Sequence, residues 1–233
     1  MIRIFIFSYS GDAAEAVACV RCARMAVPCA SVTVVDDASS PVQEETAEAL
    51  RSMGAEYVQS SWERHGNLRG PDCIRGMLSE MCREAEDDDI LVKVDCDTAL
   101  LDGGWLRWME QRPWCQMYTS GDFVNGDWRV FGCLYALRGW IARRLYREMD
   151  WSLLDDRAPE DWTIGREVLA RVPAALCRID EPWRKRSPWS IWTAWCWPSR
   201  TVSAESYAAR FAVVITGSPR ICLLYTSDAA DEE

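Results

Sequence analysis

Short apolar runs and longer amphipathic segments alternate along the first hundred residues. The apolar runs predict buried strands, and apolar residues at helical spacing predict helices between them. The predicted strands are Ile2–Phe7, Ser31–Val35, Glu56–Gln59 and Ile90–Val94. The predicted helices are Asp12–Met25, Pro41–Met53, with Ser40 as its N-cap, and Pro71–Glu84. This alternation is typical of an α/β domain with a mostly parallel sheet.

The pattern is looser after Thr98, but the same two kinds of element continue. Predicted helices are Trp105–Glu110, Gly139–Met149 and Glu160–Arg171. Predicted strands or extended segments are Cys115–Thr119, Val130–Leu137, Ala174–Ile179 and Ala212–Thr216. Residues 183–198 hold five tryptophans and are predicted as loop or short helix. Because no repeat or low-complexity linker interrupts the chain, we expect one domain over residues 1–221.

Composition narrows the class of protein. The chain has 233 residues, enough for one α/β domain, and a net charge of −10 argues against a nucleic-acid partner. No apolar run has the roughly 18 residues of a membrane span, and no signal peptide is evident, so we expect a cytoplasmic protein. The eleven cysteines are then reduced thiols. Cys19 and Cys22 fall inside a helical pattern, which favours packing over redox chemistry.

The last twelve residues have a different origin from the rest of the sequence, if a resemblance holds. Residues 222–233 resemble the translation of a sequencing adapter read in frame. We therefore expect a non-native tail after residue 221 and a natural domain that is cut short.

The first candidate for chemistry is Asp95-Cys96-Asp97, at the end of the predicted strand Ile90–Val94. Ligands of open α/β sheets sit outside the carboxyl ends of the strands. Two carboxylates there suit a hard cation such as Mg²⁺ or Mn²⁺, which takes oxygen ligands together with substrate phosphates. Asp95 and Asp97 are therefore the predicted metal ligands.

Other polar groups fall at similar positions in chain order. They are Ser8-Tyr9 after the first strand, Asp36-Asp37 after the second, Gly66-Asn67-x-x-Gly70 with Arg69 before the third helix, and Glu160-Asp161 at the start of a later helix. This ordered set, over roughly residues 1–180, resembles the nucleotide-sugar-dependent glycosyltransferases of the GT-A fold, most closely the large family-two group. The resemblance implies an α/β fold of the GT-A type, a Rossmann-like, mostly parallel sheet flanked by helices.

The resemblance also implies a function and roles for residues. The enzyme would move a sugar from a nucleotide diphosphate donor to a glycan or lipid-linked acceptor, with inversion and with Mn²⁺ or Mg²⁺. The donor would contact Ser8, Tyr9, Asp36, Asp37, Gly66, Asn67, Arg69 and Asp95. Asp161 would act as general base with Glu160 beside it. Many relatives supply a metal-binding histidine late in the chain, whereas the single histidine here is His65, in the loop before the third helix.

Plainer explanations remain open for several of these residues. Asp36-Asp37 also suits a turn and helix cap, and Glu160-Asp161 also suits the acidic first turn of a helix. The tryptophans at 183, 189, 192, 195 and 197 suit an acceptor-sugar platform, core packing or, with the nearby basic residues, contact with the inner face of the membrane.

Two other functions compete with transfer. The chain could be a non-catalytic sugar-nucleotide-binding protein or an inactive fragment. Asp95-x-Asp97-Thr98 also resembles the first motif of haloacid-dehalogenase-type phosphatases, although that motif usually opens a chain and has its threonine one place later.

Overall fold

The computed structural model describes residues 1–64, 68–124, 127–181, 193–195 and 212–215. Its strands are β1 (Ile2–Ser8), β2 (Ser31–Asp36), β3 (Glu56–Gln59), β4 (Ile90–Asp95), β5 (Thr98–Leu100), β6 (Met117–Val124), β7 (Asp127–Arg138), β8 (Cys177–Asp180), β9 (Thr193–Trp195) and β10 (Val213–Ile215). Its helices are α1 (Ala13–Ala26), α2 (Glu44–Ser52), α3 (Pro71–Cys82), α4 (Gly104–Glu110), α5 (Gly139–Glu148) and α6 (Glu160–Arg171).

The main sheet has seven strands in the order β3-β2-β1-β4-β7-β6-β8. All neighbouring pairs are parallel except those made by β7, which runs antiparallel to β4 and β6. The chain moves outward from β1 to β2 and β3, then returns to place β4 on the other side of β1. This reversal opens a crevice at the carboxyl ends of β1 and β4, where α/β proteins bind ligands. Strands β5, β10 and β9 form a second, smaller sheet.

Helices cover both faces of the main sheet. Because side chains alternate between the two faces along each strand, they contribute to two hydrophobic cores. On one face, Ile4 and Val92 pack with residues of α1 and α4 such as Val20 and Trp105. On the other face, Phe5 and Leu91 pack with residues of α3, α5 and α6, namely Ile74, Met77, Ile141, Leu145, Ile164 and Val168. Lys93 has the same parity as Leu91, so strand alternation places it on the α3–α5–α6 face.

The predicted α/β alternation is confirmed, with corrections at element ends. Helix α2 begins at Glu44 with Gln43 as N-cap, so the prediction of Pro41 and a Ser40 cap was wrong. The backbone N–H of Val42 instead donates to Asp36 Oδ2 at 2.8 Å, which ties the preceding segment to the end of β2. The extended segment predicted over Ala174–Ile179 starts with a 3₁₀ turn, Ala174–Leu176, before β8.

Short strands were missed because they pair with distant parts of the chain. β5 has three residues and pairs with β10 across more than a hundred positions of sequence. β9 lies inside residues 183–198, which were predicted as loop or short helix. The tryptophans at 183, 189, 192 and 197, together with residues 65–67 and 222–233, lie outside the described residues. In the part of the chain that is described, no helix is long and apolar enough to cross a membrane.

Candidate functional site

Two predicted metal ligands lie at the carboxyl end of β4. Asp95 is the last residue of β4 and is aligned with Phe7 of β1, so it reaches the sheet edge beside Ser8 and Tyr9. Its side chain is 30% exposed. Asp97 follows in the turn to β5, where burial and the negative charge of Asp95 raise the pKa of its carboxyl group. A cation between these carboxylates would relieve their repulsion.

The donor set fits a hard divalent cation in part. Asp95 and Asp97 supply carboxylate oxygens, and Mg²⁺ is commonly held by one or two carboxylates plus substrate phosphates and water. The described residues contain no group of three or more histidine, cysteine, aspartate or glutamate side chains placed to hold a metal ion. With Asp95 and Asp97 as ligands, water and substrate phosphates would complete the coordination of such a cation.

Lys93 is a site residue that sequence reasoning missed. Its side chain is 1% exposed, and its Nζ lies 2.6 Å from Asp95 Oδ1 and 3.5 Å from Glu160 Oε2. It also donates to the backbone carbonyl of Gly132. Burial disfavours the charged lysine, but the carboxylates of Asp95 and Glu160 outweigh this effect, and the pKa of the ammonium is raised. Lys93 thus ties the end of β4 to the start of α6.

Glu160 and Asp161 form the first turn of α6 and differ in access. Glu160 is 4% exposed, and burial raises the pKa of its carboxyl group to about 7 although Lys93 opposes the shift. Asp161 is half-buried; burial raises its pKa, while the Trp162 N–H, 2.8 Å from Oδ1, opposes that shift. Gly132 of β7 makes room here, since a Cβ on it would lie 3.1 Å from Asp161 Cβ. Asp161 is therefore the member of the pair that can reach a ligand.

The loop before α3 is fixed to the loop before α6. Gly70 N–H donates to Ala158 O at 3.0 Å, and Glu160 N–H donates to Leu68 O at 3.1 Å. Gly70 has φ +78°, and a Cβ there would lie 2.8 Å from the carbonyl oxygen of Asp156. This glycine is required by the close approach of the protein's own backbone. Arg69, between these contacts, is exposed at the cleft.

Ser8 and Asp36 were predicted to contact the donor, and the structure gives them a different place. Both side chains are fully buried. Ser8 Oγ donates to Asp36 Oδ1 at 2.8 Å, while Asp36 Oδ2 accepts from Tyr57 Oη at 2.6 Å and from Val42 N–H at 2.8 Å. These contacts hold the ends of β1 and β2 together, and the predicted contact of both residues with the donor stays a prediction.

A chain of contacts leads from the end of β2 to the end of β4. Asp37 Oδ2 accepts from Arg64 N–H at 3.2 Å, and Arg64 Nη1 lies 2.6 Å from Asp12 Oδ2. That oxygen also accepts from Cys96 Sγ at 2.8 Å. The Arg64 guanidinium lies 5.1 Å from the ring centroid of Tyr9. Asp12 and Arg64 were not predicted; only the fold brings these two residues, 52 positions apart, together.

A cleft of about 440 Å³ brings several of these groups together. Its lining includes Arg64, Arg69, Lys93, Asp95, Glu160 and Asp161. Opposite charges therefore surround one space at the carboxyl ends of the strands. Predicted Gly66 and Asn67 lie outside the described residues, so their placement stays a prediction.

Solved structures with the same architecture include sugar-transferring enzymes. Galactosyltransferase LgtC, solved with donor and acceptor sugar analogues, has a TM-score of 0.54 and 14% identity, covering 100% of this chain and 94% of that one. Glucosyl-3-phosphoglycerate synthase from Mycobacterium tuberculosis, solved with Mn²⁺, UDP-glucose and glycerol 3-phosphate, has a TM-score of 0.52 and 13% identity, covering 78% of this chain and 69% of that one. The predicted GT-A fold is thereby confirmed.

Comparison of sequences alone finds no relative of this chain. No protein-family model and no curated protein matches the sequence. The family-two assignment therefore stays a prediction, and so does the adapter origin of residues 222–233.

Proposed function

We propose that the protein is a glycosyltransferase that uses a nucleotide diphosphate sugar as donor and a divalent cation, Mn²⁺ or Mg²⁺, as cofactor. The observation that carries the proposal is the cleft lined by Asp95 and Asp161, at the carboxyl ends of the strands in a GT-A fold. The Asp95 carboxylate is placed to bind a cation, and the Asp161 carboxylate is placed to accept a proton. The solved synthase holds Mn²⁺ and UDP-glucose, which supports the same donor chemistry for this chain.

The donor would be held by the residues that line or border the cleft. Arg69 offers a planar set of donors for phosphate oxygens. Tyr9 presents a half-buried ring at the end of β1. Asp37 accepts three hydrogen bonds, from Ser39 N–H, Ser39 Oγ and Arg64 N–H, which leaves it capacity for about one more from a ribose hydroxyl or a base. Asp95 and Asp97 would hold the cation, which supplies neutralisation of charge on the diphosphate leaving group.

Asp161 would serve as the general base. The acceptor oxygen forms a bond to the anomeric carbon as the bond from that carbon to the phosphate oxygen breaks. The acceptor proton passes to the Asp161 carboxylate, and the nucleoside diphosphate leaves with the electron pair. The N-terminus of α6 stabilises the ionised carboxylate, while partial burial keeps it basic enough to accept the proton. This part of the proposal assumes transfer with inversion, in which the acceptor attacks the face opposite the leaving group.

Lys93 and Glu160 would position the groups that react. The ammonium of Lys93 contacts Asp95 and faces Glu160, so it holds the two halves of the cleft at a fixed separation. Glu160 borders the cleft but is only 4% exposed, so we assign it a positioning role in place of the catalytic role predicted for it.

The proposal also includes an acceptor class and a cell compartment. We retain a glycan or lipid-linked acceptor and a cytoplasmic location as parts of the proposal, together with a contact at the inner membrane face. The phosphatase alternative is not retained, because Thr98 of its motif is fully buried in β5 and the fold is GT-A.

The proposal is tested by separating donor binding from transfer. Binding of UDP-, GDP- and dTDP-sugars is measured by thermal shift with and without Mn²⁺, and transfer by release of nucleoside diphosphate with a panel of glycoside acceptors. Asp161→Asn should keep donor binding and lower transfer by roughly 10²–10⁴. Asp88→Asn, an exposed residue before β4 at the opposite end of the sheet, is the matched control and should change neither.

Two results would contradict this assignment. Transfer at the parental rate in Asp161→Asn would remove Asp161 as the base. Donor binding without any transfer in the parent protein would instead support a non-catalytic sugar-nucleotide-binding protein or an inactive fragment.

A further inference from the structure

A second and larger cavity opens beside the charged cleft. It has a volume of about 760 Å³ and lies over α6 and the segment before it. Its apolar lining includes Trp128, Leu153, Leu154, Pro159, Trp162 and Leu169. Pro159 and Trp162 line both spaces, so the cavity and the cleft adjoin each other at the first turn of α6.

Large hydrophobic side chains are left exposed around this cavity. Leu153 is 80% exposed and Trp162 is 54% exposed. Phe123, 61% exposed, packs edge-on against Trp128 with ring centroids 5.5 Å apart. These are three of the six exposed large hydrophobic side chains in the described part of the chain. Contiguous exposed apolar surface with polar groups at its rim is typical of ligand-binding grooves and interaction sites.

The polar side chains in the lining already have partners within the protein. Arg129 makes two hydrogen bonds to Asp122, at 2.9 and 2.7 Å. Thr163 Oγ1 donates to Pro159 O at 2.8 Å. The others pair close by in sequence: Arg166 with Glu167 and Asp155 with the backbone N–H of Arg157. What the cavity offers a ligand is therefore mainly apolar and aromatic surface, which suits an aryl or alkyl group better than the hydroxyls of a sugar.

The adjacency of Asp161 and Trp162 at the start of α6 indicates which kind of ligand the cavity would bind. Asp161 lines the cleft, and Trp162, the next residue, lines both spaces. A volume of about 760 Å³ lies within the range of small-molecule sites, about 300–1,000 Å³. A molecule with its hydroxyl at Asp161 would place the adjoining part of its body against Trp162.

We propose that this cavity binds the apolar part of the sugar acceptor, so that the acceptor is a small amphiphile with an aryl or alkyl group next to the hydroxyl that receives the sugar. This inference rests on the proposed glycosyltransferase function. It narrows the acceptor class to a molecule whose apolar group, and not a glycan chain, provides recognition beside the base.

The test compares acceptor analogues that differ only in their apolar group. Methyl, phenyl and n-octyl β-D-glucopyranosides, the last below its micelle concentration, are titrated into the full chain with UDP and Mn²⁺ present, and Kd is measured by calorimetry. The phenyl and octyl compounds should bind at least about tenfold more tightly than the methyl compound, because each buries additional apolar area.

Two tryptophan variants distinguish binding in the cavity from non-specific hydrophobic binding. Trp162→Ala should reduce the preference for the apolar compounds to about onefold. Trp114→Ala removes another exposed tryptophan, 46% exposed and packed edge-on against Trp108 outside the cavity, and should keep the preference. Circular dichroism of both variants confirms that they fold.

The outcomes distinguish this inference from the proposed function. Equal affinity of the parent for the three compounds would overturn the inference; this is the result expected if another part of the chain fills the cavity. An unchanged preference for the apolar compounds in Trp162→Ala would also overturn it. Nucleotide binding is followed in the same samples. A preference for apolar compounds without any nucleotide binding would support an apolar cavity but refute its use by a glycosyltransferase, and with it the acceptor assignment.

Discussion

Replacement of Lys93 by methionine probes the buried charge cluster that joins β4 to α6. The change keeps a long side chain but removes the ammonium that contacts Asp95 and faces Glu160. Because the Lys93 and Glu160 side chains are 1% and 5% exposed, water cannot replace the lost partner without local opening. Asp95, at 30% exposed, retains some solvation of its own.

The expected magnitude follows from the cost of breaking a buried ion pair. Removal of one partner from such a pair typically costs about 3–5 kcal/mol in the free energy of unfolding. For a chain of this size, about 2–4 °C in Tm corresponds to each kcal/mol, so we expect a loss of about 6–20 °C. The pKa of Glu160 is about 7, so it can take up a proton and limit the penalty at low pH. The loss should therefore be larger at pH 8 than at pH 6.

The assay is urea unfolding followed by circular dichroism at pH 6 and pH 8. Arg83→Met is the matched control, because it breaks an exposed pair with Glu56, whose side chains are 47% and 56% exposed, and should cost less than about 1 kcal/mol. The double variant Lys93→Met with Glu160→Gln should recover part of the loss, since the buried Glu160 carboxylate is removed and only the partly exposed Asp95 remains beside the methionine. A loss below about 1 kcal/mol in Lys93→Met at both pH values would refute the reasoning.

Two further predictions concern stability outside the buried charge cluster. Asp89 accepts hydrogen bonds from the Met1 amino group and Arg3; burial raises the pKa of its carboxyl group, but these contacts outweigh burial and the pKa is lowered. The stabilisation by Asp89 is therefore present above the unfolded pKa of about 3.9 and is lost as pH falls through the folded pKa. The difference in free energy of unfolding between the parent and Asp89→Asn should be full at pH 7 and should narrow below about pH 4. Urea titration measures this difference. Gly70→Ala should lower the free energy of unfolding by about 1–3 kcal/mol, because φ is +78° and Asp156 O would lie 2.8 Å from the new Cβ. The control Gly104→Ala should cost less, because its nearest contact is the flexible Asp102 carboxylate at 3.1 Å. Equal costs for the two glycines would contradict this.

Much of the fold could be predicted because local pattern and long-range topology agree for most of its helices and strands. Strand Glu56–Gln59 and helix Glu160–Arg171 have the predicted bounds. The errors arose where a distant contact decides local structure. Val42 is held by Asp36, which delays the start of α2, and β5 exists only through its pairing with β10.

Most acidic side chains of the candidate site could be predicted from the sequence, and so could Arg69, whereas Asp12, Arg64 and Lys93 were missed. Carboxylates at strand ends are visible in sequence, but the burial of Asp36 by Tyr57 and Val42 is not. Lys93 looked like part of an apolar run, although a lysine inside a buried strand needs partners and so points to nearby carboxylates. Arg64 gave no such signal, because its contact with Asp12 depends on how the loop before α3 crosses the sheet edge.

Nucleotide affinity as a function of metal tests the proposed function most directly. Calorimetric titration of UDP, GDP and dTDP into the parent protein, with Mn²⁺ and with chelator, is compared with the same titrations of Asp97→Asn, which keeps the size of the side chain and removes its charge. We expect at least one nucleotide to bind the parent more tightly with Mn²⁺, and Asp97→Asn to lose that Mn²⁺-dependent gain while its Tm without ligand stays near the parental value. Failure of all three nucleotides to bind the folded parent, or an equal Mn²⁺-dependent gain in Asp97→Asn, would contradict a metal-assisted donor site at the end of β4.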